Sequence, residues 1–319
     1  MTTSPGRGAR RAVLFLVAGA VALGLVAFML LVAPPPPDPG PPSAVRTIRV
    51  DGRERTFLVY APPGRPAGTS ALLVFPGSGE TAAGFRRRHA PVLERLARQE
   101  GYVVATLQGF GSHFNDCRRV APYSARSEGI DDVAFARAVV ADLATRDGVD
   151  RRRVVALGYS NGGHMTFRLA LEAPDLVAGV VAISANAPAE GNSVCTAAGG
   201  RPPAVVLVEG DRDPINPYEG GRVTIFGFGD RGLVRSAEAS ARWFAERTGR
   251  AVPAPRRELG RRRGLVAYEE SFGERVLLLT IAGGGHIVPQ AAFRYPWILG
   301  PTYRGDEVLE FALRFAQAP

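Results

Sequence analysis

One serine in this sequence stands where a nucleophile would be made. In Gly158-Tyr159-Ser160-Asn161-Gly162 it follows the apolar run Val154-Val155-Ala156-Leu157 and precedes a helical run that starts near Asn161. A strand, a sharp turn and a helix in that order lift a serine hydroxyl clear of a sheet, and glycines beside it avoid collisions with the neighbouring strand and helix. A hydroxyl is a weak nucleophile at neutral pH, so Ser160 requires a base in hydrogen-bonding reach and an acid to orient that base. Of the four histidines, His286 ends Ala282-Gly283-Gly284-Gly285-His286, directly after the apolar residues 276–281. Its glycines let the loop carry an imidazole back over the sheet edge. Solvent exposure or local packing is the expected role of His89, His113 and His164, with His113 also a candidate for lining the pocket. The acid should fall between serine and histidine in chain order, at a strand end. Asp211 and Asp213, in Gly210-Asp211-Arg212-Asp213-Pro214, meet that condition almost equally on spacing. Acyl transfer also needs two N–H donors for the oxyanion. Asn161 offers one, and Gly77 or Ser78, in Phe75-Pro76-Gly77-Ser78-Gly79, offers the other; Pro76 has no N–H to give.

Positioning these groups takes a sheet whose strand ends all face one way. Residues 71–75, 102–107, 153–158, 179–184, 204–209 and 275–281 are mostly continuous apolar runs and read as buried parallel strands. Residues 45–50 and 56–60 read as a hairpin around Asp51-Gly52, giving about eight strands. Val133, Ala136, Val140 and Leu143 recur at helical spacing, and helices also fit residues 90–99, 161–171, 236–247 and 307–315. Residues 214–264 are expected to form a partial lid or the edge of the pocket.

Composition removes several other chemistries. All 39 basic residues are arginine, so neither a lysine Schiff base nor a Ser-Lys dyad is available. The net charge of +9 comes with scattered arginines and three short clusters, at residues 86–88, 151–153 and 261–263. Without an aromatic-interleaved basic stripe these read as solvated surface, and nucleic acid is not an expected partner. Cys117 and Cys195 are too few for a zinc site; no metal or other cofactor is expected. The two cysteines are read either as a disulfide in an oxidising compartment or as separate buried thiols.

Arg7, Arg10 and Arg11 precede an uncharged stretch over residues 12–33, long enough to cross a hydrocarbon core of about 30 Å. Residues 1–11 are therefore read as a cytoplasmic basic segment and 12–33 as a transmembrane anchor, with a cleaved signal sequence as the alternative. Residues 34–43 read as a proline-rich linker and 44–319 as one extracytoplasmic domain.

The chain resembles the polyhydroxybutyrate depolymerase-like and feruloyl or acetyl-xylan esterases, which are α/β-hydrolases. The resemblance runs from about Arg55 to Phe315. It rests on Asp131-Asp132-Val133, Gly148-Val149-Asp150 with Arg152-Arg153-Val154, Ser160-Asn161-Gly162-Gly163, Asp213-Pro214 with Pro217-Tyr218, Trp243, and Gly284-Gly285-His286. It implies the α/β-hydrolase fold, a Ser160-His286-Asp213 triad working through an acyl-enzyme, and a Cys117–Cys195 bridge. The chain departs from the family at Pro76-Gly77, where His-Gly is usual, at Phe114-Asn115, where Trp commonly precedes Asn, and at Ile287-Val288-Pro289, which lacks a usual Trp. Phe114, Asn115, Tyr218 and Val288, with His113, are accordingly the candidates for lining the pocket. The expected substrate is a small or soluble ester, a hydroxyalkanoate oligomer, or a feruloylated or acetylated polysaccharide. A serine peptidase and a non-catalytic surface-tethered binding protein are the rival readings.

Overall fold

The continuous apolar runs form the middle of one large sheet. The computed structural model describes residues 7–31, 43–249 and 252–318. In chain order its elements begin with α1 (Arg7–Leu31), β1 (Ala44–Val50), β2 (Arg53–Tyr60), β3 (Thr69–Phe75), α2 (Ala82–Glu100) and β4 (Tyr102–Leu107). Then come α3 (Ser124–Ser127), α4 (Asp132–Asp147), β5 (Val149–Tyr159), α5 (Asn161–Glu172), β6 (Gly179–Ile183) and β7 (Ala204–Gly210). The chain closes with the short strands β8 (Gly221–Arg222) and β9 (Leu233–Val234), α6 (Ala237–Glu246), β10 (Arg257–Arg262), β11 (Leu265–Ser271), β12 (Val276–Ala282) and α7 (Glu307–Gln317).

Ten strands share the main sheet in the order β1-β2-β4-β3-β5-β6-β7-β12-β11-β10. The six from β4 to β12 are parallel, and the hairpins at both edges are antiparallel. All eight expected strands are present. The two extra ones, β10 and β11, escape a reading based on apolar runs because β10 is Arg-Glu-Leu-Gly-Arg-Arg at the sheet edge. Charge on an edge strand discourages pairing with another chain, so its polarity follows from its position.

Helices cover both faces. α4, α5 and α6 pack Phe135, Val139, Phe167 and Phe244 on one side; α2 and α7 pack Phe85, Leu93, Leu96, Val308 and Leu309 on the other. α2 starts eight residues before the expected Ala90, where Thr81 accepts a hydrogen bond from Gly84 N–H and caps it. Its first turns carry Arg86-Arg87-Arg88, which masked the apolar face. Arg151, Arg152, Arg153 and the cluster at 261–263 are exposed as expected, but Arg88 is not free surface: it pairs with Glu80.

Cys117 and Cys195 are disulfide-bonded, with Cα atoms 5.1 Å apart. Closing a loop of 78 residues stabilises the fold by about 4 kcal/mol on the chain-entropy estimate. Among the described residues no helix is long and apolar enough to cross a membrane. In α1 the described side chains are those of residues 15–27 and Leu31, roughly 20 Å of helix, so they do not carry the span expected over residues 12–33. The expected linker over residues 34–43 lies almost wholly outside the described residues.

Candidate active site

Every sequence-predicted catalytic group sits at the carboxyl end of a parallel strand. Ser160 follows β5, Asp213 follows β7, His286 follows β12, and the Gly77-Ser78 loop follows β3. Because β3, β5, β6, β7 and β12 are consecutive neighbours, these ends converge over the middle of the sheet. Ser160 has φ 54° and ψ −117°, a conformation that side chains other than glycine avoid. It is held by its own N–H donating to Ile183 O at 2.8 Å and its carbonyl accepting from His164 N–H at 3.0 Å.

The Ser160 hydroxyl lies 3.0 Å from His286 Nε2, and His286 Nδ1 lies 2.7 Å from Asp213 Oδ2. With Nδ1–H donated to the carboxylate, Nε2 keeps its lone pair for the serine proton. Asp213 is buried, and its other oxygen accepts from Ile215 and Asn216 N–H at 2.7 and 2.8 Å. Asp211, which spacing alone could not separate from Asp213, faces elsewhere. Its Oδ1 accepts from Gly283 N–H at 2.6 Å and so pins the glycine loop that carries His286. Beneath them Glu209 is fully buried, and burial pushes its carboxyl well above the usual range; it accepts from Ala185 N–H and Asn216 Nδ2.

The two candidates for the second oxyanion donor also separate. Gly77 N–H donates to Glu80 Oε2 at 3.0 Å and is therefore occupied, whereas among the described residues Ser78 N–H makes no such bond. Glu80 is itself held by Arg88; burial raises its carboxyl, against the opposing pull of Arg88 and Gly77 N–H. The Asn161 side chain does structural work, accepting from Phe114 N–H at 2.8 Å and donating to Phe114 O and Asp116 Oδ2.

A cleft of about 320 Å³ opens beside Ser160 and His286. None of the five expected pocket residues lines it. Phe114 is buried behind the elbow, edge-on to Phe75 at 5.2 Å between ring centres. Asn115 is held by Asp132 and by Ile130 O on the far side of that loop. Tyr218 hydrogen-bonds Thr280 and packs against the core, and Val288 is buried in the opposite core. His113 stacks on Tyr123 at 4.3 Å and bonds Gly111 O. His89 is packed, not exposed: Nδ1–H donates to Phe85 O, Nε2 accepts from Tyr295, and burial lowers its pKa to about 3.

What walls the cleft instead includes Arg118, His164, Ser184 and Tyr295, together with Val223, Ile225, Phe226 and Arg231 from the β8–β9 ribbon and its tip. Part of the 214–264 segment thus supplies an edge of the pocket. These residues carry no short-range sequence signal; Arg118 beside Cys117 was the nearest to one. Among the described residues no group of three or more His, Cys, Asp or Glu could hold a metal ion.

Residues 71–307 match the model of the alpha/beta hydrolase family. The chain is 31% identical, over 89% of its length and 91% of the relative's, to NocK of Nocardia uniformis subsp. tsuyamanensis, a protein named as an esterase. Among solved structures it is similar to an acetyl xylan esterase from Aspergillus awamori, with a TM-score of 0.60, 14% identity, and coverage of 86% of this chain and 100% of that one. At that identity the likeness speaks for the fold alone.

Proposed function

Since the chain belongs to the alpha/beta hydrolase family and is a carboxylic ester hydrolase, we propose that it acts through Ser160, His286 and Asp213 by way of an acyl-enzyme. The observation that carries this reading is the unbroken relay from Asp213 Oδ2 through His286 to the Ser160 hydroxyl, with contacts of 2.7 and 3.0 Å. Ser160 Oγ attacks the ester carbonyl as its proton passes to His286 Nε2. The carbonyl oxygen takes the negative charge and is met by the N–H groups of Asn161 and Ser78. His286 returns the proton to the departing alcohol, and water, deprotonated by the same imidazole, then releases the acid. A fluorophosphonate probe is expected to label the full chain at Ser160 and to leave Ser160→Ala unlabelled; equal labelling of both would sink the proposal.

A cleft of about 320 Å³ favours a small or soluble ester over an insoluble polymer surface. Hydroxyalkanoate oligomers and the ester groups of feruloylated or acetylated polysaccharides remain within this reading as substrates. Work outside the cytoplasm is part of the same proposal. The disulfide favours an oxidising compartment, and arginines ahead of the apolar residues 12–33 favour a segment inserted with its N-terminus inside. On alkaline extraction of cells, the full chain is expected to stay in the membrane pellet; its release into the soluble fraction would instead support a cleaved signal and a secreted enzyme.

A further inference from the structure

The cleft beside Ser160 carries more positive charge than ester hydrolysis requires. Arg118 and Arg231 both line it and are only 2% and 8% exposed. Arg118 is neutralised by Asp116, to which Nε and Nη2 donate at 2.6 to 3.2 Å. Arg231 has no such partner: among the described residues no carboxylate forms an ion pair with it. Its Nε donates to the Tyr123 hydroxyl at 2.9 Å, its Nη1 donates to the carbonyls of Phe228 and Gly229, and among the described residues its Nη2 has no acceptor. A buried cation whose protein partners are all neutral is costly unless a counter-charge arrives from outside.

That guanidinium is also tied to the acyl centre. Tyr123 Oη accepts from Arg231 Nε and, at 3.3 Å, from Arg118 Nη2. With both acceptor positions used, its own hydrogen is left for Ser78 Oγ, 3.0 Å away, on the residue whose N–H is assigned to the oxyanion. His164, 2% exposed, lines the same cleft with Nδ1 unpartnered. It adds a polar group that could meet a bound oxygen.

We propose that Arg231, with Arg118 beside it, receives a carboxylate carried by the substrate, so that the preferred substrate of this enzyme is an ester bearing a free carboxylate. This rests on the ester-hydrolase reading and deepens it. The planar carboxylate matches the guanidinium fork, and its charge supplies what the protein leaves unpaired.

Two pairs of esters test the idea with the full chain, since the carboxylate can sit on either side of the scissile bond. One pair is the 4-nitrophenyl monoester of glutaric acid against 4-nitrophenyl pentanoate. The other is the butyryl ester of 4-hydroxybenzoate against that of 4-cresol. In at least one pair the anionic member is expected to have a kcat/KM about tenfold or more above its neutral counterpart, mostly through KM. Arg231→Gln should collapse that ratio toward one, Arg231→Lys should restore part of it, and added salt should weaken it. Ratios near one in both pairs, or a ratio untouched in Arg231→Gln, would overturn the proposal. Should Arg231→Gln fail to fold, the Arg231→Lys ratio and its salt dependence decide. Should no ester be turned over, calorimetry on Ser160→Ala with both pairs separates the two ideas: tighter binding of the anionic member in at least one pair keeps the carboxylate site without the hydrolase reading, and equal binding in both pairs removes it.

Discussion

Asp213→Asn is expected to lower kcat on a simple 4-nitrophenyl ester by about 10⁴-fold, with little change in KM. The size follows from the two sides of the Asp213 carboxylate. Oδ1 is fixed by the N–H groups of Ile215 and Asn216, so in an asparagine the carbonyl oxygen must stay there and the NH2 must take the Oδ2 position. That NH2 then faces His286 Nδ1 across 2.7 Å, donor against donor. The imidazole relieves the conflict by moving its proton to Nε2, which puts N–H where Ser160 needs a lone pair. Asp211→Asn is the matched control. Its carboxylate only accepts from Gly283 N–H, which an amide oxygen does as well, so a loss within about tenfold is expected. Steady-state kinetics on both variants decides the matter: a larger loss in Asp211→Asn than in Asp213→Asn would exclude the relay through Asp213.

That pair also marks the boundary of what the sequence discloses. The elbow, the glycine run before His286 and the parallel strands were legible because each signal is local: an apolar run, a glycine, a change of period. Asp211 and Asp213 lie two residues apart on one loop, and only the path of β12 decides which meets the imidazole. Gly77 and Ser78 could not be separated until Glu80 was seen to occupy one N–H. The pocket candidates failed for a related reason. Phe114 and Asn115 are expected from the sequence to line the pocket, yet the Asn161 side chain grips the Phe114 backbone from behind the elbow, and neither residue lines the cleft. The actual wall brings Arg118 together with Arg231 through Tyr123, a meeting of loops more than 100 residues apart that no spacing announces. β10 was hidden by its charge, which an edge strand tolerates and a buried one would not.

Gly162→Ala is expected to cost about 4 kcal/mol or more of stability, or to prevent folding, although it adds one methyl group in a residue type that favours helices. A Cβ at this position would lie 1.9 Å from Phe75 O, 2.5 Å from Phe75 C and 2.6 Å from Pro76 O. All three are backbone atoms at the end of β3, so no rotamer change makes room. Relief requires either α5 to lift from the sheet or the end of β3 to move. The first disturbs the elbow that holds Ser160 at φ 54°; the second shifts the Ser78 N–H away from the oxyanion. Any protein that does fold should therefore also react with a fluorophosphonate probe at least about 100-fold more slowly, because a donor misplaced by 1 Å loses most of its effect in the transition state. Gly191→Ala provides the comparison, since a Cβ there meets nothing within 4 Å and its urea midpoint should stay near wild type. A Gly162→Ala protein with an unchanged midpoint and labelling rate would mean that the serine turn is not clamped between helix and strand, and the strain at Ser160 would need another source.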